Sequence, residues 1–309
     1  MGVVWADFAD RVMMASFSLT SSEALTCAEL LERLNGEDFE SIFDESDSDR
    51  KREYKEKRLI EALRNNIESR RVRRVVSPLS ESRFASGSFV STLVDGPSVD
   101  DHQRRARAKW RILPKMVDSL YLLTPREFEI LCGLVLTRLG CRDVFVTQAQ
   151  KDDGVDVLAS LPVAIDESDP DRASLAPLYR VVGAISFLVY GQAKRYAKSH
   201  KVEQDEVFEV SGSWETLRND FFDGRLAEER ASALRRLGFR SATPVLLVMM
   251  TTSLFTRGAQ SKAESAGMIT LDGEQMAQLV VELGLGIAEH DPFVYETSID
   301  HLRAVLAVP

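Results

Sequence analysis

The residues of this chain best placed to do chemistry are an acid set in an apolar stretch, Asp156 between Val155 and Val157, and the tripeptide Gln192-Ala193-Lys194, which ends an apolar run from Ala184 to Tyr190. Side chains of a strand alternate between faces, so Gln192 and Lys194 project together while Ala193 points away. A polar pair at the end of such a run needs a partner of opposite charge, and Asp156 is the obvious one. Joined by an acid from an upstream helix, the set becomes acid, Asp, then Gln-x-Lys. That set suits holding a divalent cation and a water beside a phosphodiester.

The elements that must position these groups follow from pattern. Val144 to Thr147 and Val155 to Ala159 read as successive strands joined by the polar turn Gln148 to Gly154. Asp156 is expected inside the second strand, where an acid is disfavoured unless it points into a site. Asp152 and Asp153 read as turn residues that bond their own backbone. Tyr179 to Lys194 reads as a long strand, reached through the acidic, proline-broken excursion Asp166 to Asp171. Upstream, Thr124 and Pro125 supply a helix cap and first turn, and Glu127 sits at capping-box spacing. Glu129 lies between Phe128 and Ile130 in a helix apolar nearly all round, which makes it the expected acid of the site; the alternative is an exposed acid on the helix's outer face, since periodicity alone does not orient the helix. Downstream, the pattern predicts a helix over 226–237 closed by Gly238, a strand over 245–250, a helix over 256–266, a short strand over 268–271 and a helix over 273–283. Such alternation predicts an α/β fold, a mixed sheet flanked by helices on both faces.

In this order the motifs resemble the Mrr-type restriction endonuclease family, a Gln-x-Lys branch of the PD-(D/E)xK nucleases. The matching pieces are Glu127-Phe128-Glu129, Leu139-Gly140, Asp152 to Val157, Gln192 to Tyr196, and a tail from Phe255-Thr256-Arg257 through Ala263 and Gly267 to Leu271-Asp272-Gly273. The sequence departs from that family at Asp153, where a second glycine is usual, and in the long gap from Asp156 to Gln192, which implies an insertion. The resemblance implies a restriction-endonuclease-like fold over about 123–284 and a Mg²⁺-dependent endonuclease acting on DNA in restriction or antiphage defence.

Phosphodiester hydrolysis requires water to approach an anion and a leaving oxygen to accept charge. Mg²⁺, for which Mn²⁺ can substitute, serves both needs and prefers oxygen ligands. Asp156 is the expected direct ligand with the Ala193 carbonyl beside it, and Glu129 binds directly or through water. Lys194 is expected to orient the attacking water and stabilise the transition state. Gln192, lacking charge, is assigned to the metal's water shell or the phosphate, which favours one metal over two. Arg195, Tyr196, Lys198 and Lys201 are the expected nucleic-acid contacts, while the segment from Ala197, with Lys198, His200 and Lys201, reads equally as a solvent-facing basic loop. The alternative is a nuclease-fold nucleic-acid-binding or assembly subunit whose cleavage is weak or activated by a partner.

The remaining sequence bounds these readings. The 309 residues and 44% hydrophobic content suggest two domains. The expected division is a helical N-terminal domain over 1–78, a Ser/Gly/Pro-rich linker over 79–101, the nuclease domain over 102–290 and a tail over 291–309. In the first, Ser22 caps a helix through Leu34 and a charged helix runs from Asp49 to Val75; His102 to Leu120 reads as a further basic helix. The basic runs Lys51 to Arg74 and Arg104 to Arg111 either follow DNA or form solvated faces with pairs such as Glu53 and Lys57. A net charge of −9 argues against nonspecific coating of nucleic acid. Cys27, Cys132 and Cys141 form no CxxC pair, so a zinc site or disulfide framework is not expected and a reducing cytoplasm fits. No apolar run approaches membrane-spanning length. GxxxxGK[ST], GxSxG and HExxH are absent, so any NTPase or sensor is expected on a partner protein. DNA is the expected partner, with RNA left open, and a homodimer or higher oligomer is expected because one metal site cuts one strand. The Leu59, Ile60, Leu63, Ile67 stripe is either the oligomer contact or docks on its own domain.

Overall fold

A computed structural model describes residues 4–20, 23–34, 47–95, 99–147, 154–162, 186–291 and 293–307. Asp152 and Asp153, the excursion over 166–171 and the first part of the strand expected from Tyr179 lie outside the described residues. The chain divides into two compact units, one of residues 1–116 with 284–301, the other of 117–283 with 302–309.

The first unit begins with α1 (Trp5–Ala15), α2 (Cys27–Arg33) and α3 (Asp49–Val72). The helix expected from Ser22 starts instead at Cys27, because Thr26 and Glu29 form a capping box that closes both orphan donors. α3 ends before Val75, where Arg74 takes a φ of 56°. The 79–101 stretch, expected as a linker, carries a hairpin of β1 (Leu79–Glu81) and β2 (Phe89–Ser91). Leu25 bridges Phe89 across its edge. Leu79 and Phe89 join Phe8, Val12, Leu30, Leu59 and Leu63 in one core, against which Ile60 and Ile67 also pack. The α3 stripe is therefore consumed by its own unit. The basic helix expected from His102 is two helices, α4 (Asp101–Trp110) and α5 (Leu113–Leu122).

The second unit is built on a five-stranded mixed sheet. α6 (Pro125–Arg138) precedes β3 (Arg142–Val146), β4 (Val157–Pro162) and β5 (Ser186–Lys194). β6 (Lys201–Val202), α7 (Gln204–Phe222), α8 (Glu228–Arg236), β7 (Val245–Thr251) and β8 (Leu254–Phe255) follow, then α9 (Arg257–Ser265), β9 (Ile269–Leu271) and α10 (Gly273–Glu282). Strand order is β3-β4-β5-β7-β9, antiparallel through β5 and parallel beyond it. β6 and β8 form a separate parallel pair. Val207, Val210, Trp214 and Leu217 of α7 pack on Leu158, Leu188, Tyr190 and Met249 of the sheet. Burial of a large apolar side chain contributes about 1.5–3 kcal/mol, so α7 is a principal fastening of that face. α6 contacts β3, β4 and β5. Its approach to β3 is close enough that a Cβ on Gly133 would lie 2.6 Å from Val146 Cγ2.

β10 (Ile287–Asp291) and β11 (Val294–Thr297) form an antiparallel hairpin belonging to the first unit, and α11 (Ile299–Leu306) follows. β11 contacts α4, with Arg105 over the Phe293 ring and Lys109 over Tyr295. Arg107 and Arg111 donate to the Val94 and Leu93 carbonyls. Much of the second basic run thus holds its own unit together.

Candidate active site

One end of the sheet gathers the polar groups. β5 runs antiparallel to β4, so its carboxyl end with Gln192 and Lys194 lies beside the start of β4, where Asp156 sits. Asp156 immediately precedes β4 rather than lying within it, but its backbone stays tied to both neighbours. Its N–H donates to the Gly191 carbonyl (3.0 Å), and its carbonyl accepts from the Thr147 N–H (2.9 Å). Gly154, two residues earlier, takes a φ of 70°, and a Cβ there would lie 2.4 Å from Ser213 Oγ on α7. Only glycine fits that turn.

The Asp156 carboxylate reaches back to β5, where the Ala193 N–H donates to Oδ2 (2.7 Å). Burial pushes its pKa up from 3.8 to about 6, against the Ala193 hydrogen bond, which lowers it. The charge of Glu129 also raises it, and those of Lys194 and Arg126 lower it. The Glu129 charge thus acts on the Asp156 carboxylate. Two acids drawn together in a partly buried site favour a bound cation.

Glu129 is largely buried and accepts from Arg126 Nη1 (2.8 Å), which also donates to the Thr147 carbonyl. Arg126 is a member of the cluster that the sequence reading overlooked, although its i,i+3 spacing to Glu129 was visible. Glu127 has its own task. It closes the capping box with Thr124 and pairs with Arg303 Nε of α11 (2.8 Å), which lowers its pKa.

Gln192 is 3% exposed, and among the described residues its Oε1 has no hydrogen-bond partner. A buried amide oxygen left unpaired costs about 1–3 kcal/mol, so this lone pair is available to a ligand. Lys194 Nζ lies 3.3 Å from Glu209 Oε2 of α7, a residue the sequence reading did not reach. Among the described residues no three His, Cys, Asp or Glu side chains converge as a ready metal cluster. The oxygen donors brought together are the Asp156 and Glu129 carboxylates, the Gln192 amide and the backbone at Ala193. That set suits a hard cation.

The four expected nucleic-acid contacts separate into two kinds. Arg195 donates to the Leu123 and Tyr121 carbonyls, and the Tyr196 hydroxyl donates to Glu206 while its ring packs on His200. Both are engaged within the fold. Lys198, 3.2 Å from Asp118 Oδ1, and Lys201 are exposed. Among the described residues no helix is long and apolar enough to cross a membrane.

No curated protein is significantly similar to this chain. Among solved structures, the restriction endonuclease MspJI in complex with a 27-mer oligonucleotide is 18% identical at a TM-score of 0.34, covering 62% of this chain and 36% of that one. The DNA modification-dependent restriction endonuclease AspBHI is 15% identical at 0.36, covering 73% and 46%. The restriction endonuclease FokI bound to DNA is 8% identical at 0.34, covering 91% and 44%. The chain spans less than half the length of each. Residues 120–221, from the end of α5 through most of α7 and including Glu129, Asp156, Gln192 and Lys194, match the Mrr catalytic-domain family, described as a restriction endonuclease, and over those residues the resemblance read from the motifs is borne out.

Proposed function

We propose that the chain is a divalent-metal-dependent endonuclease that hydrolyses DNA phosphodiester bonds in restriction or antiphage defence. The observation that carries this reading is the meeting of Asp156, Glu129, Lys194 and the Gln192 oxygen, unpartnered among the described residues, at one end of the sheet, within the residues that match a restriction endonuclease family. Asp156 is the direct ligand for Mg²⁺ or Mn²⁺, and Glu129 binds directly or through a water. The Ala193 carbonyl completes the set, because the N–H and C=O of a strand residue face the same neighbour and its N–H already faces Asp156. The cation, when bound, supplies charge neutralisation and a more acidic water. Lys194 orients that water and opposes charge on the phosphate, a role worth about 2.7–4 kcal/mol for a single donor elsewhere. Gln192 accepts a hydrogen bond from the water shell, and Arg126 holds Glu129 in place. Lys198 and Lys201 lie along the phosphate path.

A second reading, a nucleic-acid-binding subunit whose cleavage awaits a partner, is favoured by the Lys194 to Glu209 ion pair, which occupies the lysine the reaction needs. Plasmid nicking with Mg²⁺, Mn²⁺ or EDTA separates the two. Metal-dependent nicking by the purified chain, lost in Asp156→Ala and Lys194→Ala proteins with unchanged circular dichroism, supports the first. Undiminished nicking by Asp156→Ala would sink the assigned site. A protein inert with either metal returns the second reading.

A further inference from the structure

The first unit contains none of the residues assigned to hydrolysis, yet its surface has a charge and shape of its own. In a protein of net charge −9, residues 49–74 hold eleven Lys or Arg against five Asp or Glu. Arg50, Tyr54, Lys57 and Arg64, at three- to four-residue or seven-residue spacing along α3, share one exposed face, with Tyr54 59% exposed among the cations. Several make ion pairs, such as Lys57 with Glu53 (2.7 Å) and Arg58 with Glu61 (3.0 Å). Exposed pairs of this kind contribute only about 0–1 kcal/mol, so a phosphate can displace the carboxylate.

The β1–β2 hairpin stands beside this helix and is fastened to it. Arg64 of α3 grips the Glu81 carboxylate and donates to Ser86 Oγ (3.2 Å), while Glu81 Oε1 accepts from the Gly87 N–H (2.8 Å). Gly87, at a φ of 79°, sits where a Cβ would lie 3.1 Å from Ile60 Cδ1. The Ser82 N–H closes onto the Ser88 carbonyl (2.8 Å). Phe84, at the tip of this braced turn, is 100% exposed, with exposed Arg83 preceding it. A ring held out by an ordered turn gains nothing from its own fold. It is suited to lie against another flat apolar face.

We propose that α3 and the β1–β2 hairpin form a DNA-binding surface distinct from the hydrolytic site, with Phe84 stacking on a base and Arg83 and the α3 cations on the phosphates. A major groove about 12 Å wide admits one helix, and apolar wedges between base steps are a recognised way to hold a duplex. The basic and aromatic side chains supply the two interactions that nucleic acid rewards, charge neutralisation and stacking. The surface is independent of metal and of cleavage.

Anisotropy of a labelled mixed-sequence duplex with the full chain, in EDTA at fixed salt, tests this. Phe84→Ala is expected to weaken binding about tenfold, within the roughly 5–150-fold range of losing one base stack, without changing the melting temperature. Phe84→Trp is expected to retain affinity. The double variant Arg50→Ala with Lys57→Ala is expected to reduce the salt slope of log K by about 1–2. Absence of duplex binding by the wild type, or unchanged affinity and salt slope in these variants, overturns the inference. Because EDTA stops hydrolysis, failure to nick leaves this result untouched. A nicking enzyme indifferent to Phe84, Arg50 and Lys57 would refute this surface and spare the hydrolytic reading.

Discussion

At the scale of residues, the two neighbouring acids of α6 have different work and should fail differently. Glu127→Gln removes a cap and an ion pair with Arg303, and is expected to cost about 1 kcal/mol of stability with cleavage per folded molecule unchanged. Glu129→Gln is expected to lower metal-dependent cleavage by about 10- to 100-fold, as losses of metal-supporting groups do. Chemical denaturation and nicking rates on both proteins give the comparison, and equal kinetic damage would mean that the wrong acid is assigned. Asp156 makes a prediction with a sign. Its folded pKa of about 6 lies above its ordinary 3.8, so without metal the folded protein holds this proton more tightly than the unfolded chain. Stability from this group is present below pH 4 and is lost as pH rises through about 6. Asp156→Asn in EDTA should therefore melt higher than wild type at pH 7.5, with the gap narrowing toward pH 4.5. The penalty removed is at most about 3 kcal/mol. A gap independent of pH would refute the buried, ionised state. Metal affinity should instead fall as pH is lowered through the same window, because protons compete for the carboxylate.

At the scale of elements, the site depends on how closely α6 approaches β3. Gly133→Ala forces a methyl against Val146 and is expected to cost about 1–3 kcal/mol. The displacement also moves Glu129 and Arg126 relative to Asp156, so cleavage should fall as well. Val146→Ala added to Gly133→Ala should recover part of both losses, and strictly additive effects would show that the helix does not rest there. Much of this layer was legible in the sequence. The Thr124 box, the helix ended by Gly238, the Val245 strand and the Thr256 and Asp272 helix starts all announce themselves through local chemistry. α7 was overlooked although Val207, Val210, Trp214 and Leu217 follow helical spacing, because the lysines before it drew the reading toward a solvent-facing segment. With α7 went Glu209, which meets Lys194 only through tertiary packing. The hairpin over 79–91 was hidden for another reason. Its strands are three residues each, too short for alternation to stand out among serines and glycines.

At the scale of the whole molecule, double-strand cleavage calls for two hydrolytic sites facing opposite strands, and a symmetric pair of chains supplies them. We expect a dimer on a duplex by light scattering across a concentration series. A monomer persisting both free and bound would exclude it. The contact does not involve Leu59 or Leu63, which are fully buried in their own unit, so Leu63→Asp would report on folding rather than on association. A dimer sought by mutation should be sought on exposed positions instead.

The division of the chain also sets a timetable for synthesis. Among the described residues, the core joining α1, α2, α3 and the β1–β2 hairpin draws on residues no later than Phe89, so it can close while the ribosome is still making the sheet. The layer in which α4 meets β11 cannot, because its second half is encoded after the main segment of the other unit. A newly made chain therefore passes through a stage with the early core formed and α4 still waiting for the Phe293 and Tyr295 rings. Stalled chains ending near residue 283 should resist protease over α1, α3 and the β1–β2 hairpin and be cut over 101–111. Equal protection of both stretches would show that α4 finds its place without the later hairpin.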